Sequence, residues 1–318
     1  MSPAPDTVRA ARLRRHGEPC SVEEVPLAQP ADGEVRVELE FGGVNPIDSY
    51  IAQGWVNPDG PLPRTLGGEA SGTSGGRPVL VAGEGLGAVR DGVWAEAANV
   101  PHGAVLPIPE GVELRAAAAM GIAGLTALKC VRELARVTSD DRVLVLGASG
   151  GVGSMLVSLA VAAGATVWGQ TGSEDKAAQI AQQGASRVLV GDHDALTEAF
   201  SEFEPTVVFD PLGDGFVPLA IQALVPRGRL ISFGVSAGAE VTLNMQLLYR
   251  KMISVLGYGG MQLRPEERRA GLQAALKALS VGELKVRIDD VLALDGVNEA
   301  FARLAQRQVQ GKLLLDLR

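Results

Sequence analysis

The segment Gly147–Gly153, "GASGGVG", has residue types at a spacing that could hold a phosphate. Gly147 permits a sharp turn out of a preceding strand, Gly150 lets the backbone approach a pyrophosphate, and Gly153 lets the following helix pack closely on the sheet. Ala148, Ser149, Gly150, Gly151, Val152 and Gly153 then offer backbone N–H groups and the positive end of a helix to an anion. A glycine pattern alone is weak evidence, and a close-packed turn would look the same. Further on, "WGQTGSEDK" carries no acidic residue at Gly169, Gln170 or Thr171, where a site for unphosphorylated ribose places Asp or Glu. Ser173 and Lys176 supply instead a hydroxyl donor and a cation suited to a 2′-phosphate. Glu174 and Asp175 belong to the first turn of the next helix, where the dipole favours them. NADPH is the expected cofactor.

The elements that must position this loop follow from the surrounding pattern. No charged residue occurs from Val143 to Ser173. A membrane span needs roughly 20 consecutive apolar residues, and the glycines and serines of the loop interrupt the run. It reads instead as strand, glycine turn, helix, strand, with the strands buried on both faces. The runs "RVLVLG", "TVWGQ", "SRVLV", "TVVFD", "RLISFG" and "SVLGYG" alternate with "SMLVSLAVAA", "EDKAAQIAQQ", "DALTEAFSEF" and "GFVPLAIQALV". Such alternation predicts a doubly wound parallel six-stranded sheet. Before residue 112 the chain is rich in Pro and Gly, and "EVRVELE", "RPVLVA" and "VWAEAANV" predict short strands of a β-rich domain. "ELRAAAAMGIAGLTALKCVREL" predicts a helical pair. The expected domains are 1–112 with 262–318, and 113–261.

Composition narrows the function classes. The 318 residues, 46% hydrophobic and 21% charged, suit a globular protein of two domains or one large one, and the 40 glycines suit many tight turns. A net charge of −8 argues against nucleic-acid binding, because no basic excess exists to neutralise phosphates. The two cysteines, Cys20 and Cys130, point to a reducing compartment rather than a disulfide scaffold. "MSPAPDTVRAARLRRHG" lacks an apolar signal core, so the expected location is the cytoplasm. His16, His102 and His193 show no ligand spacing with one another or with a cysteine.

With these motifs in place, the chain resembles the zinc-independent, zeta-crystallin-like quinone oxidoreductases of the medium-chain dehydrogenase/reductase superfamily. The resemblance runs end to end through "EEVPLAQPADGEVRVELEFGGVNPIDSYIAQG", "LGGEASG", "AGLTAL", "GASGGVG", "GSEDKA", "VVFDPLG", "GRLISFG" and "GKLLLDL". It implies a GroES-like β-rich catalytic domain joined to a Rossmann domain. Asn45 and Gly68 stand where zinc-dependent relatives have Cys and His, so zinc-bound alkoxide chemistry is not expected. The implied reaction is hydride transfer from NADPH to a quinone or an activated C=C. The resemblance places Asn45 and Tyr50 in the catalytic cleft, with Tyr50 the expected hydrogen-bond donor to substrate. It also places Thr126 at the nicotinamide and Phe233, Gly234 and Val235 along its ribose. Asn45 before Pro46 would equally suit a turn, Tyr50 a half-buried core position, and Trp55 either a substrate wall or a loop anchor. Asp48 reads as a helix cap and Glu69 as support for the cleft backbone.

Some positions depart from the family's pattern. Val56 replaces the proton-donating Tyr of related enoyl-thioester reductases, and Gly191 the Tyr that often stacks near the 2′-phosphate. "GTSGGRPVLVAGEG" is shorter than usual. Alternative functions are a pathway-specific enoyl reductase or cyclase in polyketide-type biosynthesis, a cofactor-binding protein with little turnover, and a partner-binding scaffold. "SVLGYG", Ser254–Gly259, has no charge or proline to protect a sheet edge, so a homodimer paired through that strand is expected.

Overall fold

A computed structural model describes residues 6–318, and residues 1–5 of the segment judged to lack a signal lie outside the described residues. The chain forms two compact units. One runs to Leu125 and takes in Arg264–Ser280 and Val286–Arg318; the other is Thr126–Leu263 with Val281–Lys285.

The first unit holds strands β1 (Asp6–Leu13), β2 (Ser21–Leu27), β3 (Glu34–Val44), β4 (Arg64–Thr65), β5 (Glu69–Ser74), β6 (Arg77–Ala82), β7 (Ala97–Pro101) and β8 (Val105–Pro107). β1 pairs with β2 and β4 in a small sheet. β5 and β6 are joined through Gly75 and Gly76, both at positive φ, as a two-residue hairpin turn requires. Only the second half of "VWAEAANV" becomes β7. In its first half Trp94 is fully buried, its indole lying where a side chain at Gly42 or Gly67 would stand. The alanine-rich segment differs from the expected helical pair. It has two short α turns, Leu114–Ala117 and Leu125–Leu128, with wide i→i+5 turns over Met120–Gly124 and Lys129–Ala135 on either side of the second.

The second unit holds β9 (Arg142–Val145), β10 (Thr166–Thr171), β11 (Arg187–Val190), β12 (Val207–Asp210), β13 (Arg229–Ser232) and β14 (Ser254–Gly257). They form one sheet in the order β11-β10-β9-β12-β13-β14, every pair parallel. That is the doubly wound order 3-2-1-4-5-6, whose switch point lies between its first and fourth strands. β9 and β12 are central, and Val143–Val145 and Val207–Phe209 are wholly buried, which accounts for their unbroken apolar sequence. Phe200, Phe216 and Ile221 from the covering helices join Leu144 and Val208 in this core.

The chain ends in the first unit. β15 (Ile288–Ala293) lies parallel to β16 (Lys312–Asp316), and β16 pairs antiparallel with β3, Leu313 opposite Val44. This register sets Lys312 beside the end of β3, where Asn45 begins a helix.

Candidate active site

In the first unit, Asn45 caps the helix Pro46–Ala52, whose first residue is a proline already shaped for that position and whose missing N–H is not needed there. The Asp48 carboxylate accepts the Asn45 N–H at 2.8 Å, so this end of the helix is closed by Asp48. The Asn45 side chain is engaged elsewhere. Its Nδ2 donates to Glu69 Oε1 at 2.7 Å, and its Oδ1 accepts from Lys312 Nζ at 2.7 Å. Lys312 also donates to Glu69 Oε1 at 2.9 Å and to the Val44 carbonyl at 3.0 Å, so all three ammonium hydrogens have acceptors. Glu69 Oε2 accepts the Ile122 N–H at 2.8 Å.

These groups are almost wholly withdrawn from solvent: Glu69 is 0% exposed, Asp48 2% and Lys312 3%. Buried charges persist only when paired and hydrogen-bonded, and the lysine–glutamate pair meets that condition. Glycines make the room. A Cβ at Gly43 would lie 2.7 Å from Glu69 Cδ, and one at Gly121 2.8 Å from Glu69 Oε2. Burial pushes the Asp48 carboxyl up to about 7, and the charge of Glu69 adds to the shift, against the N–H groups of Asn45 and Gly68 and the Lys312 ammonium. Tyr50 is half-buried on the same helix, its ring 5.7 Å from that of Trp55, which is 72% exposed.

In the second unit, β9 leads through Gly147, at φ +59°, into the helix Gly151–Ala162, with Gly150 as an extended cap. A Cβ at Gly153 would overlap the Gly147 carbonyl oxygen and stand 2.9 Å from Ala148 Cα, so only glycine lets the helix sit this close. Gln170 holds the loop from beneath. Its Oε1 accepts the Gly147 N–H at 3.0 Å, its Nε2 donates to the Gly191 carbonyl at 2.7 Å, and its own carbonyl accepts the Ala148 N–H at 2.8 Å. The Ser149 and Thr171 hydroxyls lie 3.3 Å apart. β10 therefore ends in uncharged groups knitted to the loop. Ser173 then caps a short turn, Glu174–Lys176, and Ser173 and Lys176 are half-buried.

The comparisons bear on both units. A family model for zinc-binding dehydrogenases matches residues 151–277. Quinone oxidoreductase-like protein 2 of Bos taurus is 30% identical over 329 residues, covering 98% of this chain and 93% of that protein. The quinone oxidoreductase of Salmonella typhimurium is 30% identical, covering 95% of this chain and 98% of that one. The chain belongs to the quinone oxidoreductase-like group of the medium-chain dehydrogenase/reductase superfamily. The crystal structure of the Escherichia coli quinone oxidoreductase, complexed with NADPH, superposes with a TM-score of 0.84 at 28% identity, covering 97% of this chain and 99% of that one.

The remaining expected residues of this chain lie as follows. Thr126 is buried in Leu125–Leu128. Phe233 and Gly234 are half-buried just beyond β13, where the Phe233 N–H donates to the Asp210 carbonyl at 3.0 Å; Val235 is exposed. Asp210, fully buried, accepts the N–H groups of Leu212 at 2.9 Å and Gly213 at 3.1 Å and so shapes the neighbouring turn. Both cysteines are free, and burial pushes each thiol up to about 12, which favours the protonated thiol near neutral pH. Among the described residues no group of three or more His, Cys, Asp or Glu could hold a metal ion, and no helix is long and apolar enough to cross a membrane.

Two residues of these clusters escaped the sequence reading. Lys312 is one; its signal was a lone charge opening the otherwise apolar "KLLL" of β16. Gln170 is the other, noticed only for not being acidic, although its amide ties the glycine loop to the end of β11.

Proposed function

We propose that the chain is an NADPH-dependent reductase that delivers hydride, without zinc, to a quinone or to a C=C conjugated with a carbonyl. The first unit serves as the catalytic domain and the second as the cofactor domain. The observation that carries this reading is the ammonium of Lys312 seated 2.9 Å from Glu69 and 2.7 Å from Asn45. Zinc needs thiolate, imidazole or carboxylate ligands with room for a cation. Here the positions that by resemblance correspond to zinc ligands are a neutral amide, Asn45, and the bare Gly68, and the Lys312 ammonium already occupies the Glu69 carboxylate. With no metal to polarise a simple alcohol or ketone, the acceptor must be electrophilic already.

When bound, the nicotinamide supplies the hydride. Gly147–Gly153 offers backbone N–H groups to its pyrophosphate, and Ser173 and Lys176 meet the 2′-phosphate. Thr126 contacts the nicotinamide, while Phe233, Gly234 and Val235 line its ribose. Asn45 and Tyr50 orient the acceptor, the Tyr50 hydroxyl donating to the oxygen where negative charge develops. The chain also works as a homodimer. β14 is an edge strand, and Val255 on it is exposed, as are Met245, Tyr249 and Met252 just before it in the chain. Pairing with a second copy would cover such an edge.

The deciding experiment is steady-state NADPH oxidation with a panel of quinones and enones, before and after dialysis against a chelator. Turnover that survives the chelator supports the reading. Stoichiometric zinc with activity lost on its removal, or preference for simple alcohols, defeats it. Light scattering tests the dimer, and a proline at Val255 should yield monomers or aggregates.

A further inference from the structure

A primary amide has an acceptor end and a donor end of similar size, so its orientation is decided by its neighbours. Asn45 has two decisive neighbours. The Lys312 ammonium carries only donors and the ionised Glu69 carboxylate only acceptors, and each lies 2.7 Å from an opposite end of the amide. Turning the amide over would set N–H against ammonium and carbonyl against carboxylate, inside a cluster with almost no access to water. Only one orientation survives. In it, one Nδ2 hydrogen goes to Glu69, and the second has no partner among the described residues.

We propose that Lys312 is a positioning residue: with Glu69 it locks the Asn45 amide so that its carbonyl end stays with the ammonium and its remaining N–H is the end left for substrate. The inference rests on the reductase reading and narrows its substrate class. A locked donor faces an acceptor atom, so the group at Asn45 is the carbonyl-type oxygen of a quinone or enone. When hydride adds to the conjugated carbon, the π-electron pair moves onto that oxygen, which later takes a proton. A donor held in place through this step stabilises charge that appears only in the transition state, so its loss is felt in kcat more than in KM. The bond from Lys312 to Oδ1 also polarises the amide and strengthens its N–H as a donor.

Two charge-balanced double variants test this without stranding a buried charge. Exchanging Asn45→Asp with Glu69→Gln conserves net charge and size and lets the amide at 69 donate to the carboxylate at 45, but removes the donor at 45. The expected result is a drop in kcat of about 100-fold with KM little changed. Lys312→Met with Glu69→Gln leaves the amide at 45 in place but unlocked, with kcat falling about tenfold and NADPH affinity unchanged. In the free protein, the two side-chain amide hydrogens of Asn45 should give well-separated NMR signals that exchange slowly. In the Lys312→Met, Glu69→Gln protein they should converge and exchange faster. Wild-type kcat in the first double variant overturns the donor role, and unchanged amide signals in the second overturn the positioning role. If the wild type reduces no quinone or enone, the reductase reading falls by itself, and the amide signals still decide the lock.

Discussion

The glycine loop and the Asn45 cluster solve opposite electrostatic problems. In the proposed function the loop attracts an anion that comes and goes, and what it offers are backbone N–H groups on uncharged supports, Gln170, Ser149 and Thr171. Partial charges of this kind can be buried without a counter-ion. The cluster carries full charges on Glu69 and Lys312 that never leave, and each is compensated by the other and by neighbouring dipoles. A compensated set exerts little net field, so its value lies in orientation: it decides which way Asn45 faces. Loss of one atom should therefore act differently in the two places, through geometry in the loop and through uncompensated charge in the cluster.

The largest effect is expected from Lys312→Met alone. It leaves the fully buried Glu69 without its cation, at a cost of about 3–5 kcal/mol in urea unfolding, and adding Glu69→Gln should recover most of it. A cost near zero for the single change would mean that the cluster is not charge-compensated. Next comes the pH dependence of Asp48, which faces Glu69, Lys312 and the N–H groups of Asn45 and Gly68. Burial raises its carboxyl to about 7 in the folded chain, against the ordinary aspartate value of about 3.9 when unfolded. Between those values the folded state holds a proton that the unfolded chain has released. Stability should therefore fall as pH rises through that window, by up to about 1.4 kcal/mol per pH unit. Asp48→Asn should flatten the slope, and an equal slope in wild type and variant would show that Asp48 is ordinary.

Changes in the loop are smaller in stability and sharper in binding. Gly153→Ala forces the helix away from the Gly147 carbonyl, costing about 1–3 kcal/mol by overpacking. NADPH affinity should fall with it if the displaced backbone meets the phosphates as proposed; calorimetry showing unchanged affinity would remove the loop from the site. The smallest effect is expected from Lys176→Ala, which should weaken NADPH about tenfold while NADH binding stays within about twofold. Equal losses for both cofactors, or a wild-type preference for NADH, would reverse the assignment of the phosphate contact.

The doubly wound sheet and its glycine loop were legible in the sequence because their information is local. A buried parallel strand is an unbroken apolar run, a helix start needs its glycines at short spacing, and the whole loop with both flanking strands lies within Arg142–Thr171. The family was legible too, through motifs in order along the chain. The lock on Asn45 was not. Lys312 reaches Asn45 across 267 residues of sequence, carried there by the antiparallel register of β16 on β3. Nothing in "GKLLLDL" says that its lysine is buried, and nothing in "LGGEASG" says that its glutamate awaits a cation. A strand sequence specifies which residues alternate across its faces, but its partner and register come from the packing of the whole unit. The sequence by itself thus determined which groups are present, a neutral amide and a glycine loop. Only the tertiary structure decided which end of that amide is turned toward the charge, because a hydrogen bond's polarity depends on partners that the chain brings together late.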